Sequence, residues 1–118
     1  MFTISKQFHF SASHQLHGLA DDHPCSRLHG HNYICEVILQ GAELNSVGFV
    51  RDYRELSDLK HYIDDHLDHR HLNDVLGENN TTAELMAKHL YDWSHARWSE
   101  VVAVRISETP KTWAEYRP

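Results

Sequence analysis

Hydrophobic and polar positions change period several times along the chain, and each change marks an element. From Phe2 to His14 the period is two: Phe8, Phe10 and Ala12 alternate with His9, Ser11 and Ser13. Side chains of a strand point alternately to its two faces, so this pattern predicts a half-buried β-strand. His14 falls in register with the apolar set and therefore points inward. Gln15 to Leu28 contains Gly18, Asp21, Asp22 and Pro24 and reads as a loop. It is long for a hairpin connection, and long loops in compact domains are often functional. Period two returns from about His29 to Gln40, where His29, His31, Tyr33, Cys35, Val37 and Leu39 share one face.

After a turn through Gly41 to Gly48 the period becomes helical. Leu56, Leu59, Ile63 and Leu67 recur at the spacing of one helix face. Asp52-Tyr53-Arg54-Glu55 has the form of a capping box at its start. A turn is expected from Asp68 to Asn80. Thr81-Thr82-Ala83-Glu84 forms a second capping box, leading into Leu85, Met86, Leu90 and Trp93. Val101 to Thr109 is again a strand, with Val102, Val104 and Ile106 on one face and Glu108 continuing it. A fourth strand is expected near Trp113 to Tyr116. Two helices on one face of an antiparallel sheet make an α+β domain of order ββααββ. Such a sheet has open edges, which association into a ring would satisfy.

Composition narrows the classes of function. A chain of 118 residues, 41% hydrophobic, suits a single domain spanning 1–118. The net charge of −6 argues against binding nucleic acid, which calls for a basic face. No apolar run is long enough to span a bilayer, so no membrane role is expected. The first residues lack a basic segment followed by an apolar one, and the two cysteines are read as reduced thiols of a cytoplasmic protein. The anomaly is twelve histidines spread from His9 to His95.

Several residues carry candidate chemistry. His29 and His31 lie on one face of a strand, and an inward His14 ends the strand before it. Three imidazoles with an open fourth position are a catalytic zinc arrangement. The alternative is that the histidines hydrogen-bond across the sheet. Cys25 sits in a polar loop beside Arg27, a cation that favours thiolate; the alternative is an inert buried thiol. Cys35 lies within a strand and reads as core. Asp68 precedes His69 and would orient it, with His66 and His71 as rivals by composition. Glu108 on an apolar face demands partners if buried, and a ligand edge with paired N–H donors would satisfy both its oxygens. The alternative is that the strand has ended and Glu108 is solvated.

Taken in order, Phe10-Ser11-Ala12-Ser13-His14, Cys25-Ser26-Arg27-Leu28-His29-Gly30-His31-Asn32-Tyr33, Gly48-Phe49-Val50-Arg51-Asp52-Tyr53, Leu67-Asp68-His69, Thr82-Ala83-Glu84 and Glu108-Thr109 resemble the motifs of the 6-pyruvoyltetrahydropterin synthase superfamily. Within it, the short gap from Cys25 to His29 resembles the carboxy-forming synthases rather than the pyruvoyl-forming ones. The loop has no glutamate of the kind carried by a third group, which cleaves dihydroneopterin. The resemblance implies the tunnelling fold, assembled as an oligomeric barrel, commonly a homohexamer (a dimer of trimers) with sites at interfaces. It implies Zn2+ on His14, His29 and His31, a catalytic thiol at Cys25, and a proton-transfer pair at Asp68 and His69. It further implies a pterin-anchoring carboxylate at Glu108, with Thr82 and Thr109 as additional pterin contacts. The implied substrate is 7,8-dihydroneopterin triphosphate. Thr81 departs from the family's usual proline, which is expected to affect helix capping only. Rival functions are the pyruvoyl-forming reaction, a non-catalytic metal-binding protein, and a partner-binding module.

Overall fold

A computed structural model, which describes residues 1–77 and 80–118, orders the elements ββαααββ. Strand β1 (Phe2–His14) pairs antiparallel with β2 (His29–Gly41) along its whole length, with Phe8 opposite Cys35 and His14 opposite His29. Strand β3 (Val101–Thr109) pairs with β2, and β4 (Thr112–Tyr116) with β3, so the sheet order is β1-β2-β3-β4. The helices are α1 (Ser57–His66), α2 (Leu72–Leu76) and α3 (Ala83–Arg97). The α+β antiparallel sheet with helices on one face is as expected, as is the fourth strand.

Alternation decides which face the helices cover. Phe8, Phe10, Tyr33, Cys35, Val37 and Leu39 from the strands pack with Leu59 and Ile63 of α1 and Met86, Ala87 and Leu90 of α3. His14 belongs to the same face and is only 1% exposed. The opposite face carries Ser11 and Ser13 of β1 and Asn32 of β2. Sheet and helix faces therefore meet in one core, with the histidines at its end.

Four local expectations need correction. A bulge between Ile38 and Leu39 puts Val101, not Val102, opposite Leu39, so Val101 joins the core and Val102 is half-buried. Asp52 caps only a 3-10 turn (Tyr53–Leu56) that precedes α1: its side chain accepts from the Arg54 N–H, while Glu55 turns away to pair with Arg51. The N-cap of α3 is Thr82, whose hydroxyl accepts from the Leu85 N–H at 3.2 Å; Glu84 is thus one position too early to close a capping box. The segment expected as a turn from Asp68 to Asn80 contains α2, and its residues 78–79 lie outside those described.

The long loop after β1 is held at both ends. The Asn73 side chain accepts from the Gln15 N–H and donates to the Gln15 carbonyl. The Leu16 N–H donates to the Cys25 carbonyl at 3.1 Å, closing the loop over a 3-10 turn at Pro24–Ser26.

Candidate metal centre and adjoining cleft

The last residue of β1 and the first and third of β2 bring three imidazoles together. One ring nitrogen from each of His14, His29 and His31 lies within 4.8 Å of the others, the only such cluster among the described residues. His14 Nδ1 lies 2.9 Å from the Thr81 carbonyl, and His29 Nδ1 lies 2.7 Å from the Arg27 carbonyl. A carbonyl only accepts, so each Nδ1 carries the proton and each neutral ring turns a bare Nε2 lone pair inward. Those two Nε2 atoms are 2.9 Å apart. The Nε2 of His31 is buried with no hydrogen-bond partner among the described residues. Burial lowers the pKa of His14 and of His31, which favours the neutral, ligating form.

Converging lone pairs repel unless a cation lies among them. Zinc bound at about 2.0–2.1 Å holds neighbouring nitrogens roughly 3.3 Å apart in a tetrahedron, so the donor set fits such an ion. Carbonyls that fix the tautomers are the usual outer partners of ligating histidines. Sequence reasoning missed these two, because a backbone acceptor leaves no mark in residue type. It also expected Thr81 to matter for capping alone. Instead Thr81 is buried, and its carbonyl orients His14.

Glu108 reaches the edge of this centre. Its Oε2 lies 3.8 Å from His31 Nε2, and its side chain is 24% exposed, so it is neither solvated nor fully buried. It lines a cleft of about 270 Å³ together with Thr82, Glu84 and Trp113. The Thr109 hydroxyl is engaged in the β3–β4 turn, 2.8 Å from the Thr112 hydroxyl.

Asp68 and His69 sit elsewhere, along the outer edge of β1. Asp68 Oδ1 accepts from the Ser11 N–H at 2.9 Å, and its Oδ2 lies 2.9 Å from His69 Nδ1. The Ser11 N–H and the imidazole hold the Asp68 carboxyl below its ordinary pKa. His69 adopts a left-handed backbone (φ 59°) that a β-carbon makes costly. Such strain is characteristic of functional segments. His71 pairs with Ser13 across a short parallel bridge, its Nδ1 3.0 Å from the Ser13 hydroxyl. His69 and His71, with Ser11, Ser13, His31 and Asn32, line an open cleft of about 460 Å³ along this edge of the sheet.

Cys25 is half-buried in the 3-10 turn, with its N–H donating to His23 Nδ1. It belongs neither to the histidine cluster nor to the cleft at His69. Within one chain, then, His14, His29, His31 and Glu108 come together and Cys25 stands apart, while the Asp68–His69 pair lies on the outer edge of β1, where His69 shares the open cleft with His31. Cys35 is fully buried in the core, where desolvation pushes its thiol up to about 12.

Comparison with known proteins agrees with this architecture. The family model of 6-pyruvoyl tetrahydropterin synthase matches residues 3–118. A 6-carboxy-5,6,7,8-tetrahydropterin synthase of Bacillus subtilis (strain 168) is 32% identical, with 99% of this chain and 86% of the relative aligned. A 6-pyruvoyl tetrahydrobiopterin synthase of Dictyostelium discoideum is 31% identical over 92% of this chain and 90% of its own length. The structure of the 6-pyruvoyl tetrahydropterin synthase of Caenorhabditis elegans superposes with a TM-score of 0.87 at 28% identity, covering 99% of this chain and 95% of that one.

Proposed function

The chain belongs to the 6-pyruvoyl tetrahydropterin synthase family, and from that premise we propose that it is a zinc-dependent lyase that converts 7,8-dihydroneopterin triphosphate and one water to 6-carboxy-5,6,7,8-tetrahydropterin, acetaldehyde and triphosphate. The observation that carries this reading is the convergence of three imidazole nitrogens, two of them with tautomers fixed by carbonyls. His14, His29 and His31 would hold the ion. Bound there, zinc supplies a Lewis acid that lowers the pKa of substrate hydroxyls.

The remaining steps belong to the chain's own side chains. Glu108 accepts two N–H bonds from the guanidine-like edge of the pterin, which points the substrate side chain toward the histidines. Thr82 lines the same cleft, and Thr109 follows Glu108 in the chain. Both are assigned as weaker ring contacts. Cys25, as thiolate, removes a proton from the substrate side chain at Sγ. His69, oriented by Asp68, takes and returns that proton.

Because Asp68 and His69 lie on the outer edge of β1, they serve the Cys25 and histidine centre of another copy. A homohexamer of two trimers supplies that neighbour. It also pairs the open edges of β1 and β4, which a lone sheet leaves exposed. The described residues contain no helix long and apolar enough to cross a membrane. A cytoplasmic setting in queuosine or related 7-deazapurine biosynthesis is part of the same proposal.

The pyruvoyl-forming reaction is the second reading, favoured by the name of the Dictyostelium relative. Incubation of the zinc-loaded protein with 7,8-dihydroneopterin triphosphate, with products identified by mass, separates the two. Acetaldehyde with the 6-carboxy product supports the first reading. A 6-pyruvoyl product supports the second, and an unchanged substrate removes both.

A further inference from the structure

The cleft beside His69 has a chemical character that its three histidines alone do not explain. Its polar walls are Ser11, Ser13, His31, Asn32, His69, Arg70 and His71, so it adjoins the histidine cluster, and none of its lining residues is a carboxylate. That composition is unusual in a chain of net charge −6. Asp68, the neighbouring acid, has one oxygen taken by the Ser11 N–H and the other by His69. Arg70 is exposed and joins no ion pair among the described residues.

Donors dominate the cleft. The Ser11 hydroxyl donates to Asn32 Oδ1 at 2.7 Å, which occupies the amide's acceptor and leaves its NH2 as two donors. When the Ser13 hydroxyl donates to His71 Nδ1, the far nitrogen of that ring carries its own N–H. A permanent guanidinium, an amide NH2 and an imidazole N–H around one open volume are a set for a multiply charged oxyanion.

We infer that this cleft seats a polyphosphate chain, with Arg70 as its charge anchor and Ser13, Asn32 and His71 as its hydrogen-bonding wall. The inference deepens the proposed reaction and rests on it for one point: there the chain is the triphosphate of the substrate, and later the free leaving group. Since His69 of the same cleft is assigned to a neighbouring copy's centre, the triphosphate would lie beside the thiol that starts its elimination.

The test is isothermal titration of the zinc-loaded full-length protein with magnesium tripolyphosphate, beside steady-state kinetics with 7,8-dihydroneopterin triphosphate. Arg70→Gln should weaken tripolyphosphate binding about tenfold or more and raise KM by a similar factor. Its affinity for dihydroneopterin, which has no phosphates, should stay as in the parent. Arg97→Gln removes a charge of α3 outside the cleft and should leave tripolyphosphate binding unchanged. Equal weakening by Arg97→Gln, or parent-like binding by Arg70→Gln, overturns the inference. A rise in KM without tripolyphosphate binding assigns the cleft to the substrate-borne chain alone. If the protein turns over no pterin but binds tripolyphosphate through Arg70, the proposed reaction fails and the cleft assignment stands.

Discussion

His14 and His29 face each other across the last pair of the β1–β2 ladder with their Nε2 atoms 2.9 Å apart, and each has its other ring nitrogen committed to a carbonyl. Neither ring can relieve the contact by changing tautomer without losing a hydrogen bond. The sheet therefore presents a site already arranged for a cation, and His31 adds a third nitrogen on the same face.

Metal content follows directly. The protein should carry one zinc per chain by elemental analysis, and His29→Ala should lower zinc affinity by more than about a hundredfold, beyond the loss expected for an outer partner. Chelation should lower Tm, because an ion that binds only the folded state at a hundred times its Kd adds about 2.7 kcal/mol. Full zinc occupancy in His29→Ala would remove the three-histidine centre.

The two thiols should differ sharply in reactivity. Cys35 is fully buried and its pKa is pushed up to about 12, so it holds almost no thiolate at neutral pH. In the native protein a disulfide reagent should modify one thiol, at Cys25, and in denaturant two. Cys25→Ala should abolish turnover and keep its zinc; loss of zinc in that variant would make Cys25 a ligand instead.

Much of this was readable in the chain. Phe8, Phe10 and Ala12 alternate so regularly that His14 had to share their face, and His29 to Leu39 behaves the same way. Periodicity is a local property, and it carries the strands and helices. The bulge that exchanges Val101 for Val102 depends on pairing with β2, so no pattern within β3 announces it. The parallel bridge from Ser13 to His71 joins segments 58 residues apart. It sets His69 and Arg70 on the outer edge of β1, a placement that adjacency of Asp68 and His69 in sequence does not reveal.

The cap of α3 distinguishes two neighbouring threonines. Thr82→Ala removes the acceptor for the Leu85 N–H and should destabilise the protein by about 1 kcal/mol, with Thr82→Ser close to the parent. Glu84→Ala should be nearly neutral in urea denaturation, since Glu84 closes no capping box. A large loss at Glu84 and none at Thr82 would move the helix start by one residue.

Asp68 links the edge of β1 to His69, and its contribution has a definite pH signature. Its folded pKa is lowered, first by the Ser11 N–H and then by His69. Between that value and the unfolded value of about 3.9 the unfolded chain binds more protons than the native one. The stabilisation is therefore complete above the unfolded pKa and disappears as pH falls through the folded one. Asp68→Asn keeps an oxygen for the Ser11 N–H but loses the charge, so it should cost about 1 kcal/mol at pH 7. Urea denaturation of the metal-free parent and variant at pH 7 and pH 3 checks this. The gap should be smaller at pH 3 than at pH 7, because pH 3 lies below the unfolded pKa. A gap that is constant with pH would mean that the Asp68 charge contributes nothing to the fold.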